Sequence, residues 1–415
     1  MPLMHAELLT IGAELISGAT INTNAAYLAT QLATLGISCQ RQVAVSDEPG
    51  ILTQALREAL ERCDLLLTTG GLGPTFDDLT MERIADAAHR PLIYHPSVAT
   101  TIRRFYTRRH RTLQRAALRQ AYLPEGGIAL PNPLGTAPGL WLTLGPQIVV
   151  ALPGVPREMS AIMEQHVMPR LHTLSREEAI ESVTLRTAGM VELSIEALLS
   201  KLPIPEAVQI GLYPHLRMVD IRLTATATSS RAAARLLKPL EHALRRTLGD
   251  TLYGIGEERL EAVVGSLLTR QRKTLGVAES CSGGLLSDLL TDVSGSSRYV
   301  RGAVVAYHND VKREALGVPA QLLERYGAVS AQVAAAMAKG IRTFARADLG
   351  LAVTGIAGPT GGSPQKPVGL VYLGLADQRK TKTLRCQFFG DRTAIKTQAA
   401  QTALDWLRRH LLSSR

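Results

Sequence analysis

An apolar run from Thr274 to Ala278 gives way to Glu279-Ser-Cys-Ser-Gly-Gly284. It resumes as Leu285-Leu286-Ser-Asp-Leu289-Leu290, whose apolar residues repeat at the i, i+4 spacing of a helix. A strand must therefore turn into a helix within a handful of residues, as in a sheet covered by helices. A helix start leaves its first amides unpaired, and glycines let a ligand approach the backbone closely. A serine on such a turn can attack beside a ready oxyanion site.

The first part of the chain shows the same alternation. His5 to Ile11 reads as a strand, Asn22 to Leu35 as a helix, Ser38 to Val45 as a strand and Gly50 to Arg62 as a helix. Asp64 to Thr69 then reads as a buried parallel strand. The Pro/Gly-rich Leu130–Gly139 passage and the turn Pro153-Gly-Val-Pro-Arg157 interrupt the pattern with fixed, irregular backbone. Between 171 and about 255 the order becomes β-α-β-β-α, which suits a small α+β module. The expected fold class is α/β: two three-layer α/β domains, residues 1–170 and 256–415, joined by that module at 171–255.

Hydrophobic residues make up 46% of the 415, yet no apolar run reaches the ~18 residues of a membrane span. The start Met1-Pro-Leu-Met-His also lacks the basic and apolar parts of a signal peptide, so a cytoplasmic protein is expected. The four cysteines form no C-x-x-C pair, which argues against a zinc site and a disulfide framework. Of the net charge of +10, seven units come from arginines 103, 104, 108, 109, 111, 115 and 119, a window with no acid. It reads as a basic helix; a solvated face, a phosphate clamp and a nucleic-acid contact are its alternatives.

Ser280 needs a base. His308 is the nearby histidine, but strand alternation points it to the opposite face from Tyr307. Lys312, 32 residues after Ser280 and just past a strand, is the better partner, since a Ser-Lys dyad is an attested way to activate a hydroxyl. A lysine that works as a base near neutral pH must be desolvated or lie near other cations. Tyr307 offers a phenol that can relay a proton or hold the amine. Taken singly, Ser280 and Ser282 read equally as helix caps, Lys312 as an exposed charge, Tyr307 as core and Thr354 as a strand end. Together they lie on successive strand ends, where α/β sheets form ligand sites.

Six ordered passages carry a family resemblance: Ala278–Gly284, Gly302–Lys312, Gly327–Ser330, Thr354–Pro359, Lys366–Gly369 and Gly390–Arg392. They resemble the carboxyl-terminal domain of the CinA family, which is similar to nicotinamide mononucleotide (NMN) amidohydrolases. The resemblance implies hydrolysis of the NMN carboxamide to nicotinate mononucleotide and ammonia, without a metal. By the same resemblance Ser280 is the nucleophile, Lys312 its base and Tyr307 the supporting residue. Ser282, Gly283 and Gly284 would hold the oxyanion by their amides, Thr354 and Gly355 would line the nucleotide pocket, and Arg392 would take the phosphate. Ser282 stands where the family usually has threonine.

The amino-terminal half resembles the molybdopterin-binding-like part of the same family. Its motifs are Ile11–Leu15, Ile21–Asn24, Thr68–Thr80, Pro131–Gly139 and Leu152–Met159. This resemblance implies a phosphorylated ligand and divalent-metal-dependent cleavage of ADP-ribose, with a Mg2+-like ion at Asp78 and Asp77 and a weaker candidate in Glu14. Gly70, Gly71 and Gly73 would cradle phosphate, and Asn24 would bind substrate. Helix capping is the alternative role for the paired aspartates. Ala13 replaces the usual threonine. The middle module resembles a KH-like domain but contains no G-x-x-G loop, so it is expected to serve as a spacer or dimer surface. A homodimer is the expected assembly.

Overall fold

The computed structural model describes residues 5–174 and 179–413. The alternating runs of the first part fold as strands His5–Ile11 (β1), Ser38–Val45 (β2), Leu65–Thr69 (β3), Leu92–Tyr94 (β4), Tyr122–Pro124 (β5), Ile128–Leu130 (β6), Gly139–Leu144 (β7) and Gln147–Leu152 (β8). Six of them build one sheet in the order β2-β1-β3-β8-β7-β6, parallel as far as β8 and antiparallel beyond it. β4 and β5 pair apart from it. β3 is buried at every position because both of its faces are covered. Leu66 packs in a core with Leu52 and Leu56 of the Pro49–Arg62 helix, while Leu65 and Leu67 share another with Leu28 and Leu32 of the Thr23–Thr34 helix.

The arginine-rich window is not one helix. The Pro96–Arg108 helix ends in a Schellman cap: His110 adopts φ 52°, and the His110 and Arg111 amides donate to the carbonyls of Thr107 and Tyr106. The chain resumes as a 3-10 turn at Arg115–Ala121. Arg119 in that turn donates to the Thr75 carbonyl and pairs with Glu82, and Arg109 stacks on Phe105.

Among the described residues, those up to Glu181, with Thr226–Ala233, form one compact unit; Ser182–Ala225 and those from Ala234 onward form a second. Strands Ala179–Ala188 (β9), Val208–His215 (β10), Met218–Ala227 (β11) and Leu252–Ile255 (β12) make a sheet in the order β10-β11-β9-β12. The last sheet contains Leu275–Glu279 (β13), Val300–Val305 (β14), Leu349–Gly355 (β15), Leu370–Ala376 (β16) and Thr381–Gln387 (β17), in the order β14-β13-β15-β16-β17. β13, β14 and β15 are parallel; β16 and β17 are antiparallel.

The two faces of this sheet differ in side-chain size. Leu275, Val277, Leu351 and Val353 pack with Leu268 of the Leu260–Arg270 helix and Leu404 of the Arg392–Ser413 helix. Ala278 and Ala352 face Met337, Ala338 and Ile341 of the Ala331–Phe344 helix. That helix lies so close that a Cβ at Gly350 would stand 2.0 Å from the Ala338 carbonyl oxygen. Small residues on one face thus set the height of a whole helix layer. Among the described residues no helix is long and apolar enough to cross a membrane.

Candidate active site

Strand order places both candidate sites. In each large sheet the first strand lies between the second and third, so the chain leaves it in one direction and returns on the other side. Ligands of open α/β sheets bind where that reversal opens a crevice at the carboxyl ends of the strands. Ser280 follows β13 directly; in the other unit, Gly12 follows β1 and Gly70 follows β3.

Lys312 lies in the short Asn309–Glu314 helix, whose start is capped by His308 accepting from the Asp310 amide. The lysine is 1% exposed, and its Nζ donates to Ser280 Oγ at 3.1 Å, to the Ala306 carbonyl at 2.7 Å and to the Tyr307 carbonyl at 3.1 Å. Burial lowers the Lys312 pKa from the ordinary lysine value. With the amine neutral, the two carbonyls take its N–H groups and its lone pair faces the serine hydroxyl. Ser280 is 8% exposed and tied to β15 by its amide, which donates to the Val353 carbonyl.

The Tyr307 phenol is not on the lysine; only that residue's carbonyl is. The phenol accepts from Arg392 Nη2 at 2.7 Å, and Arg392 Nη1 donates to the Gly358 carbonyl at 2.7 Å. The reason is local: Tyr307 stands between β14 and the lysine-bearing helix, where the residue is 60% exposed. Tyr307 thereby links Lys312 to Arg392, one through its backbone and the other through its side chain.

The amides expected to hold an oxyanion are largely engaged. Gly283 N donates to the Ser280 carbonyl, and Gly284 N to Glu279 Oε2 at 3.0 Å. The Ser282 hydroxyl is fully buried and has no hydrogen-bond partner. Cys281, beside it, is pushed by burial up to about 12 and stays a thiol. Thr354 spends its hydroxyl proton on the Ala328 carbonyl at 2.8 Å. Gly355 is a packing position: a Cβ there would stand 2.6 Å from Val371 Cγ2 and 3.0 Å from Cys281 Sγ. The sequence reading missed Lys396, half-buried in the last helix, with Nζ 3.4 Å from where a Gly283 Cβ would stand. Its place one turn after Arg392 is the signal that could have found it.

In the first unit, Asn24 Nδ2 donates to Thr69 Oγ1 and to the Gly154 carbonyl, while its Oδ1 is buried without a partner. It lines a cleft of about 110 Å³ with Thr10, Glu14, Asn22, Thr69 and Gly154. Gly70 and Gly71 take φ of 111° and 66°, and a Cβ on Gly70 would meet the Ile11 carbonyl at 2.2 Å. Asp77 and Asp78 do not cap the next helix, which begins at Thr80 with no side-chain cap. Their carboxylates instead converge at 2.5 Å on the single hydroxyl of Thr75, and that hydroxyl holds the Asp77 carboxyl below its usual range. A Cβ on Gly73 would lie 2.3 Å from Asp78 Oδ2, so a side chain there would displace that carboxylate.

The Thr75 amide also donates to Asp78 Oδ2 at 2.9 Å, so one carboxylate can take the hydroxyl and the other the amide, and it is the second oxygen of each that is left for a hard cation. Among the described residues no three His, Cys, Asp or Glu side chains gather at one point. A hard cation such as Mg2+, if held by Asp77 and Asp78, would have to draw its remaining oxygens from substrate phosphates and water.

Comparison with known proteins places the two units. Residues 257–411 match the family described as CinA C-terminal domain, residues 7–173 the one described as probable molybdopterin binding domain, and residues 182–254 the damage-inducible protein CinA KH domain. The fold is accordingly mixed α/β, with a KH-like module between two larger domains. A CinA-like protein of Kosmotoga olearia is 42% identical over 99% of both chains, and one of Dictyoglomus thermophilum is 40% identical over 99% of this chain and 100% of its own. The chain belongs to the CinA family. Among solved structures, the protein CinA with unknown function from Thermoplasma acidophilum is 36% identical, covering 40% of this chain and 97% of its own at a TM-score of 0.38.

Proposed function

We propose that the carboxyl-terminal domain is an amidohydrolase acting on NMN, releasing ammonia and leaving nicotinate mononucleotide. The observation that carries this reading is the buried Lys312 Nζ, 3.1 Å from Ser280 Oγ on a strand-end turn. Neutral Lys312 takes the Ser280 proton as Oγ attacks the carboxamide carbon, then hands it to the departing nitrogen. Ammonia leaves, and water hydrolyses the acyl-serine with Lys312 again as base. Arg392 supplies a planar guanidinium for the phosphate, in reach of Tyr307 and Gly358, and Lys396 adds a second cation. Incubating wild type, Ser280→Ala and Lys312→Ala with NMN and measuring ammonia tests the reading. Undiminished release by either variant removes the dyad.

The first unit supports a second hydrolytic reading, cleavage of ADP-ribose to AMP and ribose 5-phosphate. It rests on the unpartnered Asn24 Oδ1 in the cleft and the paired carboxylates of Asp77 and Asp78. A divalent cation bound there supplies Lewis acidity to a phosphate oxygen. The protein's own part is to hold that ion through Asp77 and Asp78, with Asn24 available to orient a polar ligand group. A chelator that leaves AMP release intact counts against this reading.

A further inference from the structure

The Glu279 carboxyl takes no part in the chemistry above, yet it is heavily committed beside the nucleophile. It is 0% exposed. Strand alternation gives it the same face as Leu275 and Val277, toward the core holding Leu286 and Leu290, and turns Ser280 to the opposite face, toward Lys312. Its Oε2 accepts from the amides of Gly284 and Leu286, each at 3.0 Å. Its Oε1 accepts from the Ser287 amide at 2.8 Å and from the Ser287 hydroxyl. These donors lie at the end of the turn that carries Ser280 and in the helix after it, so one side chain spans the turn.

We propose that Glu279 is the positioning residue of the amidase, clasping the start of the Leu285–Thr291 helix to the end of β13 and so fixing Ser280 Oγ on Lys312. The inference rests on the amidase reading. Helix capping alone does not call for this arrangement, because a short polar residue at the cap itself satisfies such amides. Here the cap is Gly284, at φ 99° and without a side chain, and the acceptor comes instead from the residue bonded to the nucleophile. Any slack in the clasp is transmitted to Ser280 through one peptide unit. A further consequence is that the Gly284, Leu286 and Ser287 amides are spent on Glu279 and do not serve the oxyanion.

The test uses the full chain with Glu279→Gln, which keeps the size and one acceptor oxygen but turns a donor toward the amides. Three quantities are measured: kcat and KM for NMN, the rate at which a fluorophosphonate probe labels Ser280, and the Kd of NMN in a Ser280→Ala background. Misplacing a reacting atom by about 1 Å costs about 100-fold, so kcat and labelling should fall together by about that factor, with KM and Kd within about twofold. Wild-type kcat in Glu279→Gln overturns the inference. So does parallel loss of NMN binding and thermal stability, which marks a merely structural role. If Glu279→Gln does not fold, Ser287→Ala removes one clasp donor and should lower kcat and labelling in the same direction, by a smaller factor; unchanged values overturn the inference. If wild type releases no ammonia from NMN, the amidase reading fails, and labelling of Ser280 still reports whether Glu279 positions it.

Discussion

Replacing Lys312 by methionine separates catalysis from folding. The side chain is 1% exposed, so its three hydrogen bonds are little screened by solvent. Removing a general base costs about 10²–10⁴ in rate. On the stability side, the Ala306 and Tyr307 carbonyls lose their donor, at about 1–3 kcal/mol for each group left unsatisfied. Against this stands the relief of no longer holding an amine out of water, where it must either give up its proton or keep its charge at a cost of several kcal/mol. Methionine matches the length of the lost chain and leaves no large cavity. The opposing terms offset to within about 2 kcal/mol, and at about 2–4 °C per kcal/mol Tm should move by less than about 10 °C. Lys312→Met should therefore fold, melt cooperatively and release ammonia from NMN at least about 100-fold more slowly. A coupled ammonia assay and a circular-dichroism melt read both quantities. More than about a tenth of wild-type turnover in a folded Lys312→Met would place the base elsewhere.

Because burial lowers the Lys312 pKa, kcat/KM should rise with pH to a plateau, the rise centred below the ordinary lysine value of 10.5; a rate flat from pH 5 to 10 would contradict a titrating lysine. The stability linkage has the same sign: between the folded pKa and 10.5 the unfolded chain binds more protons, so wild-type stability should grow with pH there more steeply than that of Lys312→Met in denaturant titrations. Asp78→Asn should abolish metal-dependent release of AMP from ADP-ribose while leaving NMN hydrolysis within about twofold, since the two sites lie in separate units; product chromatography with both substrates decides. Gly70→Ala should cost the first unit more than about 2 kcal/mol, because its Cβ would meet the Ile11 carbonyl oxygen at 2.2 Å and φ is 111°; an unchanged urea midpoint would refute the close approach.

How much of this was legible beforehand differs by element. The β13 strand, its glycine turn and the next helix follow from a buried apolar run that changes period at Ser280, and the Ser280–Lys312 pairing follows from parallel neighbouring strands. The arginine-rich helix did not hold to 119, because a left-handed His110 and a Schellman cap ended it, and nothing in the charge pattern encodes that. Nor did local pattern reveal that Asp77 and Asp78 turn back on Thr75 instead of capping the next helix.

By itself the sequence determined most of the strand and helix segments, where glycines open a turn, and which hydroxyl, amine and guanidinium groups stand at the strand ends. These are local properties, set by periodicity and by the conformations each residue allows. Tertiary structure alone decided how the donors are shared out: Arg392 to the Tyr307 phenol, Lys312 to the Tyr307 carbonyl, and the Gly284, Leu286 and Ser287 amides to Glu279. Each donor proton can be spent once, and which acceptor receives it depends on distances between segments far apart in the chain.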